Sequence, residues 1–135
     1  MRIRYKLLIL FIIVGIAAAV IMNLGLFEDE VPKEVRDSIN NLAGDSFGIE
    51  RIDVDDDLYK IWIEFKFVPG SSNAARVYTD SVCKDTREIL SENGISSNIV
   101  VHGIRKIIHS RLVEYGSTYY HKSTGEYIFI KPDKS

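Results

Sequence analysis

The longest uncharged stretch of the sequence runs from Leu7 to Phe27, and it limits what this chain can fold into more than any other feature. Fourteen of its 21 residues are Leu, Ile, Val or Phe. A helix rising about 1.5 Å per residue over this length spans roughly 32 Å, which matches the hydrocarbon core of a bilayer. Insertion of the fourteen side chains is favoured by roughly 4–8 kcal/mol. We therefore predict a transmembrane signal-anchor helix at residues 7–27.

Two alternatives for this run remain open. A helix buried in a soluble core normally keeps a polar stripe and is shorter than this run. A cleaved signal peptide would use small residues such as Ala17, Ala18 and Ala19 at its cleavage site. The apolar run continues past them to Phe27, which favours an anchor that is not cleaved.

The charges on either side of the run predict its orientation. Residues 1–6 form a basic flank, and residues 28–31 form an acidic linker. Basic flanks stay in the cytoplasm. We therefore expect a single-pass protein of the cell membrane, with the bilayer as partner of its helix, a cytoplasmic N-terminus and residues 32–135 outside.

The composition of the remaining chain gives no support to nucleic-acid binding and rules out an intramolecular disulfide. With 14 basic and 19 acidic side chains, residues 28–135 carry a net charge of −5. This balance does not favour nucleic acid as a partner. Cys83 is the single cysteine of the sequence, so an intramolecular disulfide cannot form. The domain must be stabilised by its own core.

Hydrophobic periodicity predicts an α+β domain with a mainly antiparallel sheet in residues 32–135. The order is α-β-β-α-β-β-β, and residues 105–110 fit a helical turn or a loop equally well. The predicted elements are a helix from Pro32 towards Gly44, strands at 49–54 and 59–67, a helix from Ser71 or Ser72 to Asn93, a strand at 95–104 and a hairpin over 112–130.

The first five elements resemble the small α-β-β-α-β modules called BON domains. The resemblance covers residues 32–102 and lies in the order of elements. Asn93-Gly94-Ile95 is the one similar sequence segment, and the glycine and valine motifs of that family are not otherwise matched. BON domains occur in bacterial envelope proteins and associate with membrane surfaces, so the resemblance implies a location in an envelope.

Alternating carboxylates near the first predicted hairpin are weak candidates for metal ligands. They are Asp53, Asp55, Asp57 and Glu64. Their spacing is that of an EF-hand calcium loop, but Leu58 occupies the sixth position, where the loop needs glycine. Glu64 also belongs to the strongest strand pattern of the chain. We therefore predict an acidic hairpin turn, and neither a metal nor a cofactor.

Candidates for catalysis are few. His102, His109 and His121 lack the spacing of metal ligands. Cys83 lies in the middle of a predicted helix, where packing is its usual role. Motifs of nucleotide-binding proteins and serine hydrolases are not found in the sequence. We predict that the protein is not an enzyme, with a metal-dependent enzyme built from histidines and the acidic turn as the alternative.

Positive charge is concentrated near the C-terminus of the sequence. Residues 100–135 carry six basic and three acidic side chains, whereas residues 28–99 carry eight and sixteen. A basic and aromatic patch of this kind would bind a protein partner or an anionic surface. The residues of the predicted patch are Arg105, Lys106, His109, Arg111, Tyr119 and Tyr120.

Together, these patterns predict a membrane-anchored extracytoplasmic module for binding or assembly. A structural subunit of an envelope complex is a second alternative. Trp62 is the one large apolar side chain on the charged side of its predicted strand. We therefore expect Trp62 to lie under a helix, at an interface or at the surface.

Overall fold

The computed structural model describes residues 31–107 and 111–132, so the predicted membrane helix at residues 7–27 lies outside the described residues. None of the helices in the described ranges has the length and apolar character needed to cross a membrane. The described residues belong to one compact unit.

The domain is α+β, as predicted. Over the described residues it has two helices and a mixed five-stranded sheet, and the predicted order of elements is confirmed. The elements are α1 (Lys33–Asn40), β1 (Phe47–Asp55), β2 (Leu58–Phe65), α2 (Ser72–Glu92), β3 (Asn98–Ile107), β4 (Arg111–His121) and β5 (Glu126–Ile130).

The strands lie side by side in chain order. The pairs β1–β2, β3–β4 and β4–β5 are antiparallel, and β2–β3 is parallel. Helix α2 makes the long connection that a parallel pair requires. Both helices pack on the same face of the sheet, where α1 contacts α2 and β1 while α2 contacts β3, β4 and β5.

Helix α2 begins and ends at residues suited to those positions. The Ser71 hydroxyl oxygen accepts a hydrogen bond from the Ala74 N–H, and Gly94 has a φ of +71° just beyond the last turn. Tyr78 and Ile89 of this helix are only partly buried. The buried stripe consists of Ala75, Thr79, Val82, Cys83, Thr86 and Leu90.

The core lies between the helices and alternate residues of the strands. Ile61, Val101 and Thr118 are fully buried neighbours in one row of this face. Full burial of a side chain such as Ile61 stabilises the fold by about 1.5–3 kcal/mol. Strand β3 is buried on both faces, because Val100 on its other side is also only 1% exposed. The strand predicted at 95–104 is thus the central strand of the sheet.

A bulge interrupts the pairing of β3 with β4. Gly103 lies opposite Gly116, but the next residue, Ile104, lies opposite Glu114, which leaves Tyr115 as an extra residue in β4. Gly116 has a φ of +139°, and a Cβ atom there would collide with the Phe129 ring. Both backbone conformation and space therefore require glycine at this position.

The sequence allowed either a helical turn or a loop at residues 105–110. The first three of these residues form neither, because they belong to a strand. Arg105 to Ile107 continue β3 and pair with the first residues of β4. Strand β2 ends at Phe65. The end of the β3–β4 hairpin therefore extends beyond its β2 neighbour.

Candidate functional site

One face of the sheet is left uncovered by the helices and strands of the described ranges, and we call it the open face. Two rows of side chains cross it, one residue from each strand. The first row is Arg51, Trp62, His102, Ser117 and Ile130. The second row is Asp53, Lys60, Val100, Tyr119 and Ile128.

Trp62 is held between its two neighbours in the first row. The Arg51 guanidinium carbon lies 5.1 Å from the centroid of the indole ring. The His102 ring stacks at 5.3 Å between centroids, with an angle of 21° between the planes. Because Arg51 and His102 come from the strands on either side of β2, they contact opposite faces of the indole. These two contacts hold the indole ring in a fixed orientation.

His102 is also fixed from the side of β4. Its Nδ1 atom lies 2.8 Å from Glu114 Oε1 and 2.8 Å from Ser117 Oγ. The Ser117 hydroxyl donates to Glu114 at 2.5 Å, so its oxygen is left to accept from His102. This network assigns the proton of a neutral imidazole to Nδ1 and leaves Nε2 outside the network.

The bulge in β4 creates this arrangement. Residues three apart on a regular strand point to opposite faces. The extra residue Tyr115 reverses the alternation, so that Glu114 and Ser117 both reach His102 on the open face. A bulge often redirects a side chain in this way at functional positions.

Serine, histidine and glutamate are the residue types of a hydrolytic triad, but their contacts differ from one. A triad places the serine on one ring nitrogen and the carboxylate on the other. Here both oxygen atoms lie at Nδ1 of His102, and Ser117 is only 6% exposed. The contacts orient the imidazole and do not activate the hydroxyl as a nucleophile.

The carboxylates proposed as weak metal ligands lie apart, three of them in ion pairs with basic side chains. The pairs are Asp53 with Arg51 at 2.5 Å, Asp55 with Lys60 at 3.5 Å, and Asp57 with Lys122. The turn after Asp55 is the predicted acidic hairpin turn, and Glu64 lies in β2. Over residues 31–107 and 111–132, groups of three or more potential metal-binding His, Cys, Asp or Glu residues are not found.

The two described histidines do not meet either. His102 lies opposite Ser117, and His121 follows Ser117 by four residues on β4, which corresponds to about 13 Å along a strand. His121 stacks on Tyr119 instead, with 6.1 Å between ring centroids. The alternative of an enzyme built from these histidines and the acidic turn gains no support from this geometry.

The structure separates the residues of the predicted basic and aromatic patch. Arg105, Lys106 and Arg111 lie together at the end of the β3–β4 hairpin. Tyr119 is on the open face, whereas Tyr120 faces the helices and is 6% exposed, because consecutive strand residues point to opposite faces. Tyr120 is therefore part of the core and not of a surface patch. His109 lies outside the described residues.

A cleft of about 380 Å³ lies beside these basic residues, at the end of β2. Lys106, which lines it, is paired with Glu50, and this hydrogen bond raises the pKa of the Lys106 ammonium group. Lys66 Nζ donates to the Gly44 carbonyl at 2.8 Å. The residues that line the cleft are Gly48, Glu64, Phe65, Lys66, Arg105 and Lys106.

Cys83 lies on the buried side of α2 and has no visible chemical role. Its burial, together with the charge of Asp80, raises the pKa of the thiol to about 12, although Lys84 lowers it slightly. The thiol is therefore protonated and unreactive at neutral pH.

The sequence did not predict that Glu114, Ser117 and Arg51 belong to the Trp62–His102 group. A signal for two of them was present, since Gly116 interrupts a strand pattern and a glycine inside a strand often marks a bulge. The register between distant strands had no such signal. In comparisons with known protein families, curated proteins and solved structures, no match to this chain is found.

Proposed function

We propose that the chain is a single-pass membrane protein, anchored by residues 7–27, whose outward domain binds a protein partner through the open face. The observation that carries this proposal is the ordered stack of Arg51, Trp62 and His102 on a face that no described element covers. Tryptophan and arginine are the residues most enriched among those that dominate binding energy at protein interfaces.

The order of the stack favours its use in binding. Association costs about 0.5–1.5 kcal/mol for each flexible side chain that becomes fixed. Trp62 and His102 are already fixed by their neighbours, so this cost is reduced in advance. Ile128 and Ile130, which are 43% and 50% exposed on β5, extend the same face with apolar surface.

The predicted linker adds a constraint on the partner. Residues 28–31 are too few to let the domain move far from the anchor helix. The partner is therefore expected at the same membrane or in the adjoining envelope. A stable subunit contact in an envelope complex would use the same face, and the two cases differ in the lifetime of the association.

A photo-crosslinking amino acid in place of Ile130 tests the proposal in native membranes. We expect an adduct with a protein partner, and we expect Trp62→Ala to abolish it. The matched control carries the same crosslinker in place of Glu88, an exposed residue on the outer side of α2. Equal adducts from both positions, or adducts that survive Trp62→Ala, would contradict the proposal.

A further inference from the structure

The cleft at the end of β2 opens on the same face as the Trp62 stack. Gly48 and Ile104 lie on either side of Glu64 in the sheet, and Lys106 follows Ile104 along β3. A Cβ atom at Gly48 would have no heavy atom within 4 Å, so the cleft is open at this point. The site is therefore accessible to a group that approaches the open face.

The cleft is a local region of positive charge in an acidic domain. Lys66 and Arg105 donate to the backbone carbonyls of Gly44 and Phe65, and within the described ranges neither forms an ion pair with a carboxylate. The Lys106 charge is balanced by Glu50. These three basic groups together with Glu50 and Glu64 leave one net positive charge, whereas residues 28–135 carry −5.

We propose that this cleft binds one oxyanion group, a carboxylate or a phosphate, presented by the partner of the open face. This inference rests on the proposed function and adds the chemistry that the partner must carry. The Arg105 guanidinium offers paired donors and Lys66 offers a point charge, and both types of group form strong hydrogen bonds to oxyanions.

The surroundings of the cleft favour an acidic protein segment as the source of the oxyanion. Leu112 lies directly opposite Lys106 on the same face and is 54% exposed. It offers an apolar contact beside the charged site. Anionic lipid surfaces are usually recognised by clusters of about four to eight basic residues. The cleft has three, one of which is already paired, so a single carboxylate with an apolar neighbour fits better.

The experiment uses the full-length protein in non-ionic detergent micelles. Glutarate and inorganic phosphate are titrated separately at constant ionic strength, with sodium chloride as control, while the Gly48 amide signal is followed by NMR. We expect a saturable shift with glutarate. The combined Lys66→Gln and Arg105→Gln variant should weaken the apparent Kd by about tenfold or more, because it removes two charged hydrogen-bond donors.

Two further variants make the test specific. Glu64→Gln removes a negative charge of the cleft that has no ion-pair partner in residues 31–107 and 111–132. It should tighten binding several-fold, a gain that loss of folding cannot imitate. Arg87→Gln removes an exposed cation on α2, outside the cleft, and should leave the affinity unchanged. A shift equal to that of chloride, or wild-type affinity in the double variant, would overturn the inference.

The source of the oxyanion and the proposed function are tested separately. Saturable binding of phosphate alone would keep the cleft as an oxyanion site and overturn the acidic protein segment as its occupant. If the Ile130 crosslink persists while neither oxyanion binds, the inference fails and the proposed function stands. If oxyanions bind but the crosslink does not depend on Trp62, the proposed function fails.

Discussion

The two faces of the sheet differ in what holds their side chains in place. On the helix face, apolar residues such as Ile61 and Val101 are packed under α1 and α2. On the open face, the adjacent residues Trp62 and His102 are held by stacking and hydrogen bonds between strands. The first set stabilises the fold through burial, whereas the second orders a surface. We therefore expect substitutions on the two faces to have different consequences.

Each face also contains exceptions that limit this contrast. Val100 and Ile104 are each 1% exposed on the open face, and Val100 is flanked by Lys60 and Tyr119 from the neighbouring strands. Thr118 is polar on the helix face. Its hydroxyl donates to Asp80 at 2.6 Å and lies 2.8 Å from the Thr79 hydroxyl, which is also placed to donate to the Arg76 carbonyl oxygen at 3.3 Å. These hydrogen bonds satisfy the polar groups at this point of the core, whereas the fully buried Thr86 hydroxyl has no partner among the described residues.

The largest expected effect separates the two faces by stability. Ile61→Ala should lower the free energy of unfolding by about 2–5 kcal/mol, because it leaves a cavity in a packed core. Trp62→Ala, one residue further on the half-buried open side, should cost less, namely about 1 kcal/mol for the lost aromatic pair in addition to the burial of the covered part of the ring. Urea unfolding of both variants measures the difference. Equal losses would show that the open face is a second core.

The next effect is a pH dependence of stability that reports on the burial of Cys83 on the helix face. Burial raises the pKa of Cys83 from 9.0 to about 12, so the folded state favours the protonated thiol. The stabilising contribution of the buried thiol is complete below pH 9 and is lost as the pH rises towards 12. By pH 11 the free energy of unfolding should have fallen by about 2–3 kcal/mol. Chemical unfolding between pH 8 and 11 tests this sign. A slope that is unchanged in Cys83→Ala would contradict it.

A smaller loss of stability is expected from a substitution at the bulge in β4, which directs Glu114 and Ser117 to the open face. Gly116→Ala should lower the free energy of unfolding by about 1–3 kcal/mol because alanine is strained at this positive φ. The collision of the new Cβ atom with the Phe129 ring adds a further loss. Adding Phe129→Ala should recover the part of the loss that is due to the collision and leave the part due to backbone strain. A Gly116→Ala variant as stable as the wild type would rule out the bulge geometry.

The smallest effect on stability is expected for removal of Glu114, which should nevertheless change the tautomer of the His102 ring. Glu114→Ala removes a partly exposed acceptor and should cost no more than about 1.5 kcal/mol. Two-bond proton–nitrogen NMR, recorded at a pH at which the ring is neutral, should show the ring proton on Nδ1 in the wild type and a larger Nε2–H population in the variant. Identical tautomers in both proteins would show that Glu114 does not orient the ring.

The sequence predicted the helix face far better than the open face. Alternation at Tyr59, Ile61 and Ile63 depends only on neighbouring residues, so the core side of β2 was predictable. The contact of His102 with Trp62 depends on the parallel register between strands separated by α2. The same limit applies to Glu114, whose direction depends on a bulge. Tyr119 and Tyr120, by contrast, could have been separated in advance, because consecutive strand residues face opposite sides.

The most direct test of the account is the accessibility of the open face in native membranes. Single cysteines replace Ile130 on the open face and Val77 on the outer side of α2, and a membrane-impermeant maleimide labels intact cells. Native Cys83 is buried and contributes little background. We predict that Val77→Cys reacts in cells and after purification, whereas Ile130→Cys reacts only after its partner is removed. Equal labelling of both positions in cells would contradict a partner on the open face.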